Sequence, residues 1–176
     1  MMSIRRERPE DMAAIRTVNE AAFGQSTEAD IVDALRDACP ELLSLVAESA
    51  DEIVGHILFS PTTVHGGSQT RHGMGLAPMA VLPKYQRQRI GSKLVEAGLE
   101  ILREQGCSFV IVLGHPEFYP RFGFVPASRH RLRCQWEGVP DEAFMVLVLD
   151  ELVMAGVTGV ARYREEFDAA VDSKNT

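Results

Sequence analysis

The sequence has no apolar run long enough to cross a membrane, and its start, Met-Met-Ser-Ile-Arg-Arg-Glu-Arg-Pro-Glu-Asp, carries charge where a secretory leader would be apolar. A soluble, cytoplasmic protein is expected. Cysteine is scarce. Cys39, Cys107 and Cys134 are odd in number and widely spaced, with no Cys-x-x-Cys, which argues against both a disulfide framework and a zinc site. His65, His72 and His130 lie in turn-rich sequence without acids or cysteines at ligand spacing, so no metal is expected. A surplus of basic residues is also missing: the formal net charge is −7, which does not suit nucleic acid as a partner. Gly-x-Gly-x-x-Gly is absent, against a Rossmann-type dinucleotide unit. No internal repeat or low-complexity linker divides the chain.

What is present is a core. At 176 residues and 45% hydrophobic content, the sequence suits one compact domain. Ser3 to Glu7 reads as a short edge strand. Pro9-Glu10-Asp11 opens a first amphipathic helix with Met12, Ile15, Val18, Ala22 and Phe23 on its apolar side. After a turn at Gly24, Ser26 or Thr27 caps a second helix that ends at Pro40. Leu42 to Glu48 and Ile53 to Val64 form a predicted antiparallel hairpin, followed by a loop over His65-Gly66-Gly67-Ser68-Gln69. An apolar run from Met74 to Leu82 precedes a helix with Ile90, Leu94, Ala97 and Ile101 on one face, ending near Gly106. Cys107 to Leu113 is almost continuously apolar, as a parallel strand covered on both faces should be. Ala143 to Leu149 reads as a last strong strand. The segment Ala155 to Tyr163, with the helical pattern after it, either covers the core or meets a second subunit, so a homodimer stays open. The polar end Asp172-Ser-Lys-Asn-Thr176 reads as frayed.

The chemistry concentrates between residues 84 and 93. Lys84, Arg87, Arg89 and Lys93 fall there with no acid among them, in a chain that is acidic overall. A helix N-terminus offers unpaired N–H groups and partial positive charge, and Gly91 lets an anion approach the backbone, so this turn suits a phosphate. An ordinary solvated basic helix start would carry the same charges. The strand before it tips the balance: Pro78 interrupts Leu76-Ala-Pro-Met-Ala-Val81, and a proline inside a central strand implies a bulge with backbone groups free for a ligand.

Val81-Leu-Pro-Lys-Tyr-Gln86-Arg-Gln-Arg89-Ile-Gly91-Ser-Lys-Leu94 resembles the motif of the GNAT N-acetyltransferase superfamily, Gln/Arg-x-x-Gly-x-Gly/Ala after a strand ending in Val-x-Pro. Gln86 matches its first position and Gly91 its last. Arg89 stands where the family usually has its middle glycine, so the left-handed backbone that a glycine supplies is not expected at residue 89. Phe118-Tyr119-Pro-Arg-Phe122-Gly123-Phe124 is similar to the family's Tyr-x-x-x-Gly-Phe segment. The resemblance runs from Ser3 to about Leu149, with 150–176 as an extension. Its wording is that of a bacterial subgroup of predicted N-acetyltransferases. It implies an α/β (α+β) fold: a mixed, mostly antiparallel sheet of six to seven strands flanked by helices, with a splayed parallel pair holding the cofactor.

The resemblance also implies acetyl-CoA as cofactor, with its pyrophosphate on the backbone of Arg87, Gln88, Arg89, Ile90, Gly91 and Ser92 beside Gln86. Pantetheine would pair like an extra strand along Met79, Ala80 and Val81, next to Tyr119 and Phe122. Arg87, Arg89 or Lys93 would reach the adenosine phosphate. Acyl transfer to an amine needs a neutral amine, an oxyanion donor and an acid for the thiolate. Tyr119 matches the family's acid, and the backbone N–H of Met79 its oxyanion donor. The base is open. A lysine amine titrates near a pKa of about 10.4, no acid lies between Leu76 and Val81, and His115, Glu117 and His56 are the candidates. The leading expectation is transfer of acetyl to a primary amine on a small molecule or peptide. A non-catalytic acyl-CoA sensor is the alternative.

Overall fold

The computed structural model describes residues 1–172, so the end of the chain read above as frayed falls almost entirely outside them. The elements are β1 (Met2–Arg6), α1 (Met12–Phe23), α2 (Thr27–Ala38), β2 (Leu43–Ser49), β3 (Glu52–Gly66), β4 (Gln69–Val81), α3 (Ile90–Glu104), β5 (Phe109–Leu113), β6 (Val125–Pro126), β7 (Leu132–Cys134), β8 (Phe144–Val148), α4 (Glu151–Met154), β9 (Gly159–Arg162) and α5 (Asp168–Asp172). The strands pair in the order β1-β2-β3-β4-β5-β8-β6, with β9 on β3 and β7 on β9. The pairings β4–β5 and β7–β9 are parallel. Pairs β1–β2, β2–β3, β3–β9, β5–β8 and β6–β8 are antiparallel, as expected of a mixed sheet.

The chain forms two compact units, and β3, β4 and α3 each contribute to both. The first comprises Met1–Phe59, Ala77–Leu99 and the stretch from Glu165. Gly24, in the left-handed conformation at φ 70°, ends α1 and leads to α2. Ser26 occupies the N-cap of α2 but makes no capping bond; its hydroxyl donates to Asp30 instead. Ala50 and Asp51, at φ 49° and 62°, close the β2–β3 hairpin. Along α3 the buried stripe is Ile90, Leu94, Val95, Leu99 and Leu102, whereas Ala97 and Ile101 are only half-buried. The expected face is therefore rotated by about one residue. The cause is Gly98, where a Cβ would fall on the Phe59 ring, so the helix turns its glycine to the strand.

The second unit comprises Ser60–Leu76 and Glu100–Arg164. Phe109, Val110, Ile111 and Val112 of β5 are all buried, which accounts for its unbroken apolar character. Its register with β4 runs from Met74–Val110 to Leu76–Val112, and the Ala77–Pro78 peptide that follows is cis. Two expectations need correction. The loop expected at 65–69 is a tight turn, because β3 extends to Gly66 and β4 starts at Gln69. The last strand is β9, not β8, and it pairs with β3 at Thr63–His65 and with β7 at Leu132–Cys134. Within the segment after residue 155, Gly159–Arg162 thus adds a strand to the chain's own sheet. Among the described residues no helix is long and apolar enough to cross a membrane.

A polar chain runs through the interior of the first unit. The Asn19 amide donates to the Ile15 carbonyl at 2.9 Å and lies 3.1 Å from His56 Nδ1. His56 Nε2 lies 2.9 Å from Ser44 Oγ, and the Ser44 hydroxyl donates to Glu7, which Arg36 pairs at 2.7 Å. Because Asn19 and Ser44 direct their protons to Ile15, His56 and Glu7, the imidazole carries its proton on Nε2. Burial pushes the His56 pKa down to about 4. Burial alone would raise that of Glu7, but hydrogen bonds from Arg36 and Ser44 bring it below the usual carboxylate value.

Between about pH 6.5 and 4 an unfolded chain binds a proton at His56 that the folded chain refuses, so stability falls as pH falls through that window. Glu7 adds a loss in the same direction at the acid end. The melting temperature, followed by calorimetry, should drop by about 5 °C or more across the window, given roughly 2–4 °C per kcal/mol for a chain of this size. In His56→Gln the upper part of that slope should vanish.

Candidate functional site

In the first unit, the end of β4 runs through Met79, Ala80 and Val81 into a turn that begins α3. The turn is tied from several sides. The Leu82 N–H donates to the Val54 carbonyl at 2.9 Å, and Pro83–Tyr85 form one turn of 3-10 helix. Glu52, at the start of β3, accepts from Lys84 Nζ at both carboxylate oxygens, at 3.0 and 3.1 Å, and from the Tyr85 hydroxyl at Oε2, at 3.0 Å. Lys84 is therefore paired, and the positive charge facing outward comes from Arg87, Arg89 and Lys93. All three are exposed, and among the described residues none has an acidic partner. Gln86 turns its side chain inward and donates to the Val81 carbonyl at 3.0 Å, while Gln88 donates to the Lys84 carbonyl at 3.2 Å.

The backbone after Gln86 is the central feature. Arg87 and Arg89 are left-handed, at φ 63° and 64°. The left-handed residue that the missing glycine seemed to rule out is present at 89, carried by arginine. Left-handed residues at alternate positions turn successive N–H groups toward one point, which makes a concave anion-binding surface. The first helical bond of α3 runs from the Lys93 N–H to the Arg89 carbonyl at 3.1 Å. The N–H groups from Arg87 to Ser92 lie ahead of it, and among the described residues none reaches a protein acceptor. Ile90 and Ser92 have buried side chains, so this backbone is seated and not free to drift.

In the second unit, Tyr119–Phe122 form a 3-10 turn ended by Gly123 at φ 96°. The Tyr119 ring lies over Gly114, where a Cβ would strike it, and meets Phe118 and Phe124 edge-on at 5.0 and 5.7 Å between centroids. Phe122 meets Phe118 at 5.2 Å. Tyr119 is 6% exposed, and among the described residues its hydroxyl has no hydrogen-bond partner. Burial pushes its pKa above the usual phenol range, so the hydroxyl holds its proton as a donor. His115 and Glu117 are exposed, and the His115 carbonyl accepts the Phe118 N–H at 3.1 Å.

The structure thus gathers Met79, Ala80, Val81 and 86–93 in one unit, and His115, Glu117, Tyr119 and Phe122 in the other. His56 is enclosed, with both ring nitrogens engaged, and has no free nitrogen to serve as a base. Two residues escaped the sequence reading. Glu52 lies far from Lys84 in sequence, and Tyr163 stands in a segment with no recognisable motif. No group of histidine, cysteine or acidic residues able to hold a metal occurs among the described residues.

A family model described as an acetyltransferase (GNAT) domain matches residues 3–127. The uncharacterized N-acetyltransferase YhbS of Escherichia coli K12 is 39% identical over 168 residues, which is 95% of this chain and 99% of YhbS. The crystal structure of Escherichia coli YhbS in complex with CoA superposes with a TM-score of 0.88 at 38% identity, covering 95% of this chain and 92% of that one. A GNAT family acetyltransferase from Brucella melitensis, in complex with acetyl-CoA, gives a TM-score of 0.77 at 38% identity over 96% and 99% of the two chains.

The left-handed backbone at residue 89 can be tested apart from any activity. Arg89→Gly should leave thermal stability unchanged or slightly raised, because glycine adopts this conformation without steric cost. Arg89→Val, β-branched at positive φ, should lower stability by about 1–3 kcal/mol in denaturant titration.

Proposed function

The chain belongs to the GNAT acetyltransferase family, and on that premise we propose that it is an acetyl-CoA-dependent N-acetyltransferase, one catalytic domain that moves an acetyl group to a primary amine by direct attack. The observation that carries this reading is the run of N–H groups without acceptors from Arg87 to Ser92, flanked by Arg87, Arg89 and Lys93. Such a donor set suits a pyrophosphate: it offers hydrogen bonds and positive charge together, and Lys84 is already neutralised by Glu52. The CoA in the YhbS crystal structure and the acetyl-CoA in the Brucella melitensis structure support the same ligand here.

Acetyl-CoA, when bound, supplies an activated acetyl thioester with a thiolate as leaving group. The remaining work falls to the chain. Backbone groups of Met79, Ala80 and Val81 would hold the pantetheine arm, with the Met79 N–H placed as donor to the thioester oxygen. Gln86 holds the turn to the strand through the Val81 carbonyl and so shapes the cradle. Arg87, Arg89 or Lys93 would reach the adenosine phosphate. Tyr119, whose hydroxyl has no other hydrogen-bond partner among the described residues, would be the donor to the departing thiolate. His115 or Glu117, both exposed, takes a proton from the amine, directly or through water. The acceptor is a small-molecule or peptide amine.

One observation favours a second reading, an acyl-CoA sensor without turnover: no carboxylate lies on Leu76–Val81, and neither base candidate is held in place by a side-chain partner among the described residues. A thiol-release screen with acetyl-CoA over a panel of amino acids, peptides and polyamines separates the two, since a sensor releases no CoA with any of them. With an amine so identified, Tyr119→Phe should lose about 10²–10⁴-fold in kcat while calorimetric CoA affinity stays the same. An unchanged kcat would remove Tyr119 from the acid role.

A further inference from the structure

Tyr163, just past the end of β9, belongs to none of the motifs above, yet it is placed with more care than most core residues. Its side chain is buried, its ring stacks on Trp136 at 5.7 Å and 21°, and its N–H donates to Gln135 Oε1 at 2.6 Å. The ring lies against Gly75: a Cβ on that residue would sit 2.6 Å from Tyr163 Cε1 and 2.6 Å from Thr62 Cγ2. β4 thus carries a glycine where the phenol crosses it.

The hydroxyl reaches both strands of the parallel pair. It shares its one proton between the Leu76 carbonyl at 3.2 Å and the Ile111 carbonyl at 3.3 Å. These groups surround Leu76–Val112, the last pair in the β4–β5 register. From Leu76 the chain continues through Ala77 and Pro78 to Met79. From Leu113 it continues through Gly114, on which the Tyr119 ring rests, to Tyr119 itself. Burial pushes the Tyr163 pKa above the usual phenol range, and the neighbouring Tyr119 adds to the rise, so the hydroxyl stays a proton donor to these carbonyls.

We propose that Tyr163 is a positioning residue for acyl transfer: its hydroxyl anchors the last rung of the parallel pair and thereby fixes the two backbone segments that run on to Met79 and to Tyr119. The inference rests on the acetyltransferase reading for its kinetic consequence, but the anchoring itself does not. Tyr163→Phe keeps the ring on Trp136 and Gly75 and removes only the hydroxyl, so the fold is retained. Gly75→Ala is a second route to the same loss, since the added methyl group displaces the ring and moves its hydroxyl away from the two carbonyls without removing it.

Two measurements on the full chain test this. With an amine that the wild type acetylates, Tyr163→Phe should lower kcat by about tenfold to a hundredfold, the scale on which small misplacement acts, while KM for the amine and CoA affinity change by less than about threefold. Hydrogen exchange followed by mass spectrometry should quicken in peptides covering 76–81 and 113–119 and stay at the wild-type rate in β1 and β2. A merely structural loss would quicken exchange throughout and raise KM along with lowering kcat, and either result overturns the proposal. So does an unchanged kcat, or unchanged exchange at both segments in both variants. Should the wild type acetylate no amine, the acetyltransferase reading fails, and the exchange experiment alone decides whether Tyr163 anchors both exits.

Discussion

From Arg87 to Ser92 successive backbone N–H groups have no acceptor within the described protein, and around Arg87–Arg89 they stand at the surface, open to water or to an anion. This run of open donors is held by its surroundings. Left-handed backbone at Arg87 and Arg89 points the groups inward, and the start of α3 adds its dipole behind them. Glu52, Gln86 and Gln88 use their side chains to hold the turn, and Glu52 also removes Lys84 from the outward charge. An arginine in the left-handed region is less comfortable than a glycine. Arginine there combines the turn of the backbone with a positive charge beside the open N–H groups, a combination that glycine does not offer.

Packing behind the turn serves the same end. Gly98 brings α3 close to Phe59, and Ile90 and Leu94 bury against the strand around Gly55. The helix that presents the N–H groups is thus held along its buried face. In the second unit the same economy of small residues recurs: Gly114 gives Tyr119 its seat and Gly75 gives Tyr163 its own. In each case a missing Cβ marks where an aromatic ring passes over the chain.

Much of this was legible in the sequence. Periodicity located α1, α2 and α3, continuous apolar character located β5, and the motif around Gln86 and Gly91 located the turn. Each of these signals is local. What stayed hidden was set by distant partners. β6, β7 and β9 are two to four residues long, too short for any period to show, and exist because another strand pairs with them. Glu52 finds Lys84 only after the hairpin has formed. The left-handed backbone at Arg89 was hidden for another reason: that conformation is ordinarily read from glycine, and here surrounding hydrogen bonds impose it on a charged residue. His56, from its type alone a candidate base, lies deep in the core with both nitrogens occupied, which only the packing of α1 and β2 around β3 could reveal.

One edge of β3 is covered in relay. β2 accompanies it from Glu52 to Phe59, and β9 takes over from Thr63 to His65, with Ser60, Pro61 and Thr62 between the two stretches. Proline has no N–H to offer, so the interval contributes little to an incoming strand. Without β9, the exposed backbone would extend to the end of β3 and invite pairing with another molecule. The family model ends at residue 127, well before this strand. A short strand late in the chain thus occupies backbone at Thr63–His65 that would otherwise be open to pairing.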